Sequence, residues 1–192
     1  MKPTDTKTLI LDTAQDLIQR FGINGMSYQD ISQIVGIRKA SIHTHFPTKE
    51  ALVAALLDRY NTYFLRLVDH IIASTDSPEQ KLRRYCGLFE ATLKSGEQDK
   101  ACLCGMLGAE LATLNSPLVE RICTFYQENE AQVATILGKG REMGIFHFKG
   151  DVAATAALVF SLLEGGILIA RASGGPQRFE TVIEQLMQLV RG

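Results

Sequence analysis

The chain has 192 residues, 46% of them hydrophobic and 21% charged, with a formal net charge of −1, which is ample apolar material for one or two compact units. That balance excludes collagen, low-complexity disorder and a disulfide-rich miniprotein. The longest apolar stretches fall short of the ~20 residues that cross a bilayer, and Met1-Lys2-Pro3-Thr4-Asp5 lacks the apolar run of a secretory signal, so the expectation is a soluble cytoplasmic protein with no membrane partner. Cys86, Cys102, Cys104 and Cys123 contain no CxxC pair, which in a reducing compartment predicts free thiols.

Helical periodicity runs through the whole chain. Ile10, Ala14, Leu17 and Phe21 share one face of a first helix that Gly22 ends. Ser27 caps a second, with Asp30 complementing its positive end and Ile31, Ile34 and Val35 on the buried side, and Gly36 breaks it. A third covers roughly Lys39 to His45 with Ile42 and Phe46 turned inward; Pro47-Thr48 separates it from a fourth that runs from Lys49 past Phe64. Ser77-Pro78-Glu79-Gln80 opens a fifth, in which serine caps, proline takes the first turn and glutamine reaches back; it ends near Lys94, before a polar loop. Cys102 to Leu114 reads as a short helix, Ser116-Pro117 begins a long one lasting to Gly144, Asp151 caps the next, and Pro176 starts the last, to Val190. With no strand and no internal repeat, the fold class is all-α with about nine helices.

Residues 27–46 carry the strongest functional signal. Helix, glycine-containing turn and short second helix form the helix-turn-helix arrangement, whose second helix enters the major groove while the first braces it. Ile31, Ile34, Val35, Ile37, Ile42 and Phe46 can meet in one small core, leaving Arg38, Lys39, Ser41, His43, Thr44 and His45 outward, the donors and small polar groups that contact phosphates and base edges. Residues 1–50 hold Lys2, Lys7, Arg20, Arg38, Lys39 and Lys49 against Asp5, Asp12, Asp16, Asp30 and Glu50, and no acid falls between positions 31 and 49. A local basic patch on a near-neutral chain fits a small DNA-reading module attached to something else.

The run Gly36-Ile37-Arg38-Lys39-Ala40-Ser41-Ile42-His43-Thr44-His45-Phe46-Pro47-Thr48-Lys49-Glu50-Ala51-Leu52 resembles the signature of TetR-type transcriptional regulators, with Gly22, Ser27, Asp30 and Ile31 in register before it. The resemblance implies a helix-turn-helix DNA-binding domain over residues 1–48, touching double-stranded operator DNA through Ser27, Tyr28, Arg38, Lys39, Ala40, Ser41, His43, Thr44, His45 and Lys49. It implies a helical domain over 49–192 that binds a small-molecule inducer and dimerises. The family usually has serine or threonine where Arg38 stands, so the cap of the third helix is expected to be lost at a cost of about 1 kcal/mol, with Arg38 turned to DNA instead. It commonly has tyrosine at the position of His43, where an imidazole donates in a pH-dependent way. Lys49 fits the pattern, at a helix start where free N–H groups and the dipole hold a phosphate.

The implied effector site calls for a cavity lined by apolar and aromatic groups. Tyr60, Phe64, Phe89, Met106 and Tyr126 are candidates, beside Tyr85, Phe125 and Phe160, although for each one separately an aromatic at helical spacing is more often ordinary core packing. Ala101-Cys102-Leu103-Cys104-Gly105-Met106-Leu107-Gly108-Ala109-Glu110-Leu111 resembles the Gly-Cys-Leu-rich helix of a TetR subgroup that responds to reactive electrophiles, unsaturated acids or oxidants through a cysteine near its start. Cys102 at a helix N-terminus would have its thiolate fraction raised, as a sensor thiol requires. Cys102 and Cys104 point about 200° apart on an intact helix, so a disulfide would need Cys86 or Cys123.

No metal or cofactor is expected: C-x-C without a nearby histidine does not fit zinc, His43 and His45 diverge on their helix, and no G-x-S-x-G supports a hydrolytic triad. Asp151 to Ala172 and Phe179 to Val190 are apolar on more than one face, which predicts a homodimer seam through the last two helices. The reading is a TetR-like repressor, not an enzyme, released from its operator by a small molecule or electrophile. The alternative is a helical thiol enzyme or small-molecule binding protein whose N-terminal hairpin is structural.

Overall fold

The structure, a computed structural model, describes residues 5–192; Lys2 lies outside them. Nine α-helices and one 3-10 turn make up the regular structure among the described residues. The chain divides into two packed units.

The first unit runs to Thr62 and takes in Leu103–Cys123. Its helices are α1 (Thr6–Phe21), α2 (Tyr28–Val35), α3 (Lys39–His45), the start of α4 (Lys49–Ala73), α6 (Leu103–Gly108), the 3-10 turn Leu111–Thr113 and the start of α7 (Ser116–Glu142). Asp5 caps α1 by accepting from the Lys7 N–H at 2.9 Å, and Ile10, Leu11, Ala14, Leu17 and Ile18 bury its inner face. Phe21 was expected on that face but is 58% exposed. It is the last helical residue; the chain turns at Gly22, and Ile23 and Met26 take the buried places beyond it.

α2 begins with a complete capping box between Ser27 and Asp30 and ends at Gly36, whose φ of 74° and ψ of 31° suit a residue without Cβ. The tight link to α3 is locked by Ser32: its carbonyl accepts from Gly36 and Ile37, and its hydroxyl donates to the Ile37 carbonyl at 2.6 Å. Ile31, Ile42 and Phe46 are buried as expected, whereas Ile34 is 63% exposed. An eight-residue helix packed only along a narrow seam with α1 and α3 has room to bury Ile31 and part of Val35, not a wide apolar face. The helix expected from Cys102 to Leu114 also breaks: α6 ends at Gly108, and Glu110 turns back onto the loop after α1.

The second unit holds Tyr63–Cys102 and Thr124–Gly192. It contains the rest of α4 and α7 with α5 (Pro78–Lys94), α8 (Val152–Ala172) and α9 (Gly175–Arg191). The Ser77–Gln80 box starts α5 and Asp151 caps α8, both as the sequence predicts. α5, α8 and α9 pack mutually, and Arg83–Glu184 and Arg191–Glu79 pair α5 with α9 at the surface, where such pairs contribute little. A Cβ on Gly166 would come within 3.2 Å of Phe179 and Val182, so the glycine sets how closely α9 approaches.

α8 corrects one expectation: at 21 residues it is long and apolar enough to span a membrane by length and composition. It buries Val159, Phe160, Leu163, Gly166, Ile167 and Ala170 against its neighbours and carries Glu164 and Arg171 within its length.

Candidate nucleic-acid interface and thiol site

α3 is short, and its own sequence decides which side faces out. Ile42 is fully buried and Phe46 nearly so, which leaves Arg38, Lys39, Ala40, His43, Thr44 and His45 exposed and Ser41 half-buried. Arg38 occupies the N-cap position in extended backbone and makes no side-chain bond to the helix, so the expected loss of the cap is present and the guanidinium is left for other partners. The His43 ring sets Nδ1 3.2 Å from the Pro47 carbonyl; with the ring donating there, Nε2 can donate to a phosphate only as the imidazolium, because in the neutral ring it is an acceptor.

Three residues predicted at the DNA are engaged within the module itself. The Ser27 hydroxyl accepts from the Asp30 N–H and lies 2.6 Å from the Asp30 carboxylate, which these bonds hold below the usual carboxylate range. The Tyr28 hydroxyl reaches the Phe46 and Thr48 carbonyls at 2.9 and 2.7 Å, tying α2 to the link before α4; burial, with Glu50 nearby, pushes its pKa up to about 12. The Lys49 ammonium donates to the Ile23 carbonyl at 2.5 Å and the Met26 carbonyl at 2.7 Å. It is turned into the fold, and burial lowers its pKa against the pull of Glu110, Glu50 and Asp30. At the start of α4 the Ala51 N–H donates to the Thr48 hydroxyl at 3.1 Å, so the N–H groups expected to be free there are in part engaged.

Glu110, which the sequence reading did not single out, grips the same loop from the other side. Its carboxylate accepts from the Ile23 N–H at 2.5 Å and the Asn24 side-chain amide at 3.0 Å. Gly22 has a φ of 75°, and a Cβ there would strike Glu110 Oε2 at 2.5 Å, so the glycine is needed both for the turn and for the approach of the carboxylate. The only sequence hint was an acid lying just beyond the glycine that ends a short apolar helix.

Of the predicted effector residues, Phe64, Phe89 and Tyr126 belong to the second unit. Phe64 and Phe89 pack with ring centroids 5.8 Å apart, Phe125 and Phe160 extend the stack, and Tyr126 lies 5.6 Å from Phe160. Edge-on contacts at these distances are core packing. Tyr60 and Met106 belong to the first unit. A groove of about 760 Å³ in the second unit is lined by other residues, among them Ile72, Ser77, Lys81, Thr135 and Met143.

Cys102 is the last residue of the second unit, directly before α6, and is buried. Cys86 is buried with its pKa pushed up to about 12, Cys104 is buried with its thiol 3.6 Å from the Asn61 side-chain oxygen, Cys123 is exposed, and among the described residues none of the four is in a disulfide. Facing Cys102 is Glu164 of α8, also missed in the sequence, where the signal was a lone carboxylate inside an apolar helix. Both its carboxylate oxygens are sealed from solvent without a partner at ordinary hydrogen-bond geometry, and burial pushes its pKa up to about 7, the Cys102 thiol acting in the opposite sense. Among the described residues no cluster of histidine, cysteine or carboxylate suits a metal.

Residues 10–56 match the bacterial regulatory proteins of the tetR family, and residues 78–186 match the tetracyclin repressor-like C-terminal domain. The chain belongs to the TetR family. It is a DNA-binding transcriptional regulator, and the thiol-enzyme alternative falls. The TetR-family repressor NemR of Escherichia coli is 24% identical over 190 residues, covering 97% of this chain and 94% of its own, and its reduced form superimposes with a TM-score of 0.82. A TetR-family regulator from Agrobacterium tumefaciens is 30% identical with a TM-score of 0.91, each chain covered to 97%. Another, from Legionella pneumophila, is 27% identical with a TM-score of 0.88, covering 99% of this chain and 100% of its own. TetR regulators bind operator DNA and small-molecule ligands, typically as homodimers.

Proposed function

We propose that this TetR-family chain is a cytoplasmic homodimeric repressor, which reads a near-palindromic operator through residues 1–48 and senses a small molecule or electrophile through 49–192. The observation that carries the reading is α3: a short helix anchored by Ile42 and Phe46 that shows Arg38, Lys39, Ala40, His43, Thr44 and His45 to solvent with no acidic residue among them. Arg38, Lys39, His43, Thr44 and His45 meet phosphates and base edges, and Ala40 and Ser41 allow close approach. Ser27, Tyr28 and Lys49 set the geometry that lets them do so.

Dimerisation through α8 and α9 is supported by Leu158, Leu162, Ile169 and Leu189, which remain exposed on these two helices. Sensing at Cys102 is supported by its place in the chain. The next residue opens α6, α6 packs on α1, and Glu110 just after it holds the loop that leads into the helix-turn-helix. A bound inducer, or a modified Cys102, favours an α6 position that no longer matches the operator-bound form; a tenfold loss of operator affinity needs about 1.4 kcal/mol of such preference. Operator binding followed by fluorescence anisotropy, with and without a thiol-reactive inducer, tests this. The wild type releases DNA and Cys102→Ser does not; release from the serine variant would refute sensing at that thiol.

A further inference from the structure

The outward side of α3 carries two kinds of group, separated by where each side chain has already placed its hydrogens. Arg38 and Lys39 are exposed cations, able only to donate. His43 and Thr44 are exposed too, but each gives a hydrogen to the protein itself. His43 Nδ1 lies 3.2 Å from the Pro47 carbonyl, an oxygen that can only accept, so the ring holds its hydrogen on Nδ1 and the neutral ring presents a lone pair at Nε2. Tyr28 keeps the ring in that position. The two ring centroids are 4.9 Å apart, and the Tyr28 hydroxyl is bonded to the Phe46 and Thr48 carbonyls on either side of Pro47. The Thr44 hydroxyl donates to the Ala40 carbonyl at 3.0 Å, one turn back, which leaves oxygen lone pairs as its outward polar group.

We propose that His43 and Thr44 read the operator as hydrogen-bond acceptors, each facing an exocyclic amine, adenine N6 or cytosine N4, in the major groove. This role rests on the reading of α3 as the helix that enters the groove, and adds which base-edge groups two of its residues select. Phosphates and deoxyribose offer the protein acceptors alone. On the base edges of the major groove, adenine N7, guanine N7 and O6 and thymine O4 are acceptors as well, and the amines are the donors that remain. His43 or Thr44 set against a guanine or thymine oxygen would bring two lone pairs together with no hydrogen between them. Neighbours on a helix point about 100° apart, so the two residues meet different base pairs. The outward set therefore divides by chemistry: Arg38 and Lys39 take phosphates or guanine, while His43 and Thr44 select the strand on which adenine or cytosine stands.

The test uses the duplex that the full-length protein enriches from a random pool, at about pH 8, above the range in which imidazole side chains commonly gain charge. In each half-site every adenine is replaced in turn by unsubstituted purine and every cytosine by 2-pyrimidinone, which delete the amine, and affinity is read by fluorescence anisotropy. The expected result is two positions per half-site at which the deletion weakens wild-type binding about tenfold. At one of them His43→Phe, which keeps a ring against Tyr28 but has no Nε2, binds the intact and amine-deleted duplexes equally; at the other Thr44→Val does so. Both variants keep the wild-type dependence of affinity on salt, because neither residue neutralises a phosphate. A thermal melt confirms that both are folded, and the amine-deletion series with the wild type is decisive without them. Three results would overturn the acceptor role while leaving α3 at the DNA. They are no position at which an amine matters, amine positions that both variants still discriminate as the wild type does, or losses uniform across sequences with a smaller salt slope. A pool with no enriched duplex would overturn both.

Discussion

Glu110 and Lys49 hold opposite ends of one residue: the carboxylate accepts from the Ile23 N–H and the ammonium donates to the Ile23 carbonyl. The loop between α1 and α2 is thereby fixed from both sides. Removing the acceptor leaves a part-buried N–H unpaired, so Glu110→Ala is expected to lower stability by about 1–3 kcal/mol and to weaken operator binding. Glu110→Gln, whose amide oxygen still accepts, loses less. Gly22→Ala fails for two reasons, positive φ and collision with Glu110. Urea unfolding and anisotropy with an operator duplex check these; an unchanged midpoint in Glu110→Ala would show that the loop stands without the carboxylate.

Lys49 and Lys39 differ in where their charge goes, and salt dependence separates them. Each phosphate neutralised contributes about 0.9 to the slope of log affinity against log salt. Lys39→Ala is expected to reduce the slope by about that amount. Lys49→Ala is expected to weaken binding with the slope unchanged, because its ammonium is bonded to the Ile23 and Met26 carbonyls. Equal losses of slope would place Lys49 on the DNA.

Arg38 trades a helix cap for a cation. Arg38→Ser restores the missing cap and is expected to raise stability by about 1 kcal/mol while lowering operator affinity and the salt slope. A variant that gained stability and kept full affinity would remove Arg38 from the interface.

Glu164 gives the fold a pH dependence of definite sign. Its carboxyl is raised from 4.5 to about 7 in the folded protein, so as pH rises the unfolded chain ionises first. The favourable contribution is complete below pH about 4.5 and is lost as pH climbs to about 7, for a total of about 3 kcal/mol. Glu164→Gln is therefore expected to match the wild type near pH 4 and exceed it in stability near pH 8. Denaturant midpoints at the two values decide it, and an equal gap at both would mean that the carboxyl is not shifted.

The sequence showed what local chemistry decides. Capping boxes at Ser27 and Ser77, the stop at Gly36 and the outward set on α3 all depend on neighbours within a few residues, and each appears in the structure. The failures share a cause. Whether Phe21 and Ile34 are covered depends on where partner helices end; Lys49 turned inward because Ile23 and Met26, distant in sequence, offered it two carbonyls. Glu110 bonds Ile23 and Glu164 meets the Cys102 thiol, long-range neighbours that periodicity cannot reveal.

The most direct test of the central claim is selection of bound duplexes from a random DNA pool by the purified full-length protein, repeated with Lys39→Ala. The account predicts enrichment of a near-palindromic sequence whose half-sites lie about 34–36 Å apart, or a multiple of that spacing, and weaker binding to that same sequence by the variant. A pool that emerges with no sequence favoured over the input would contradict it.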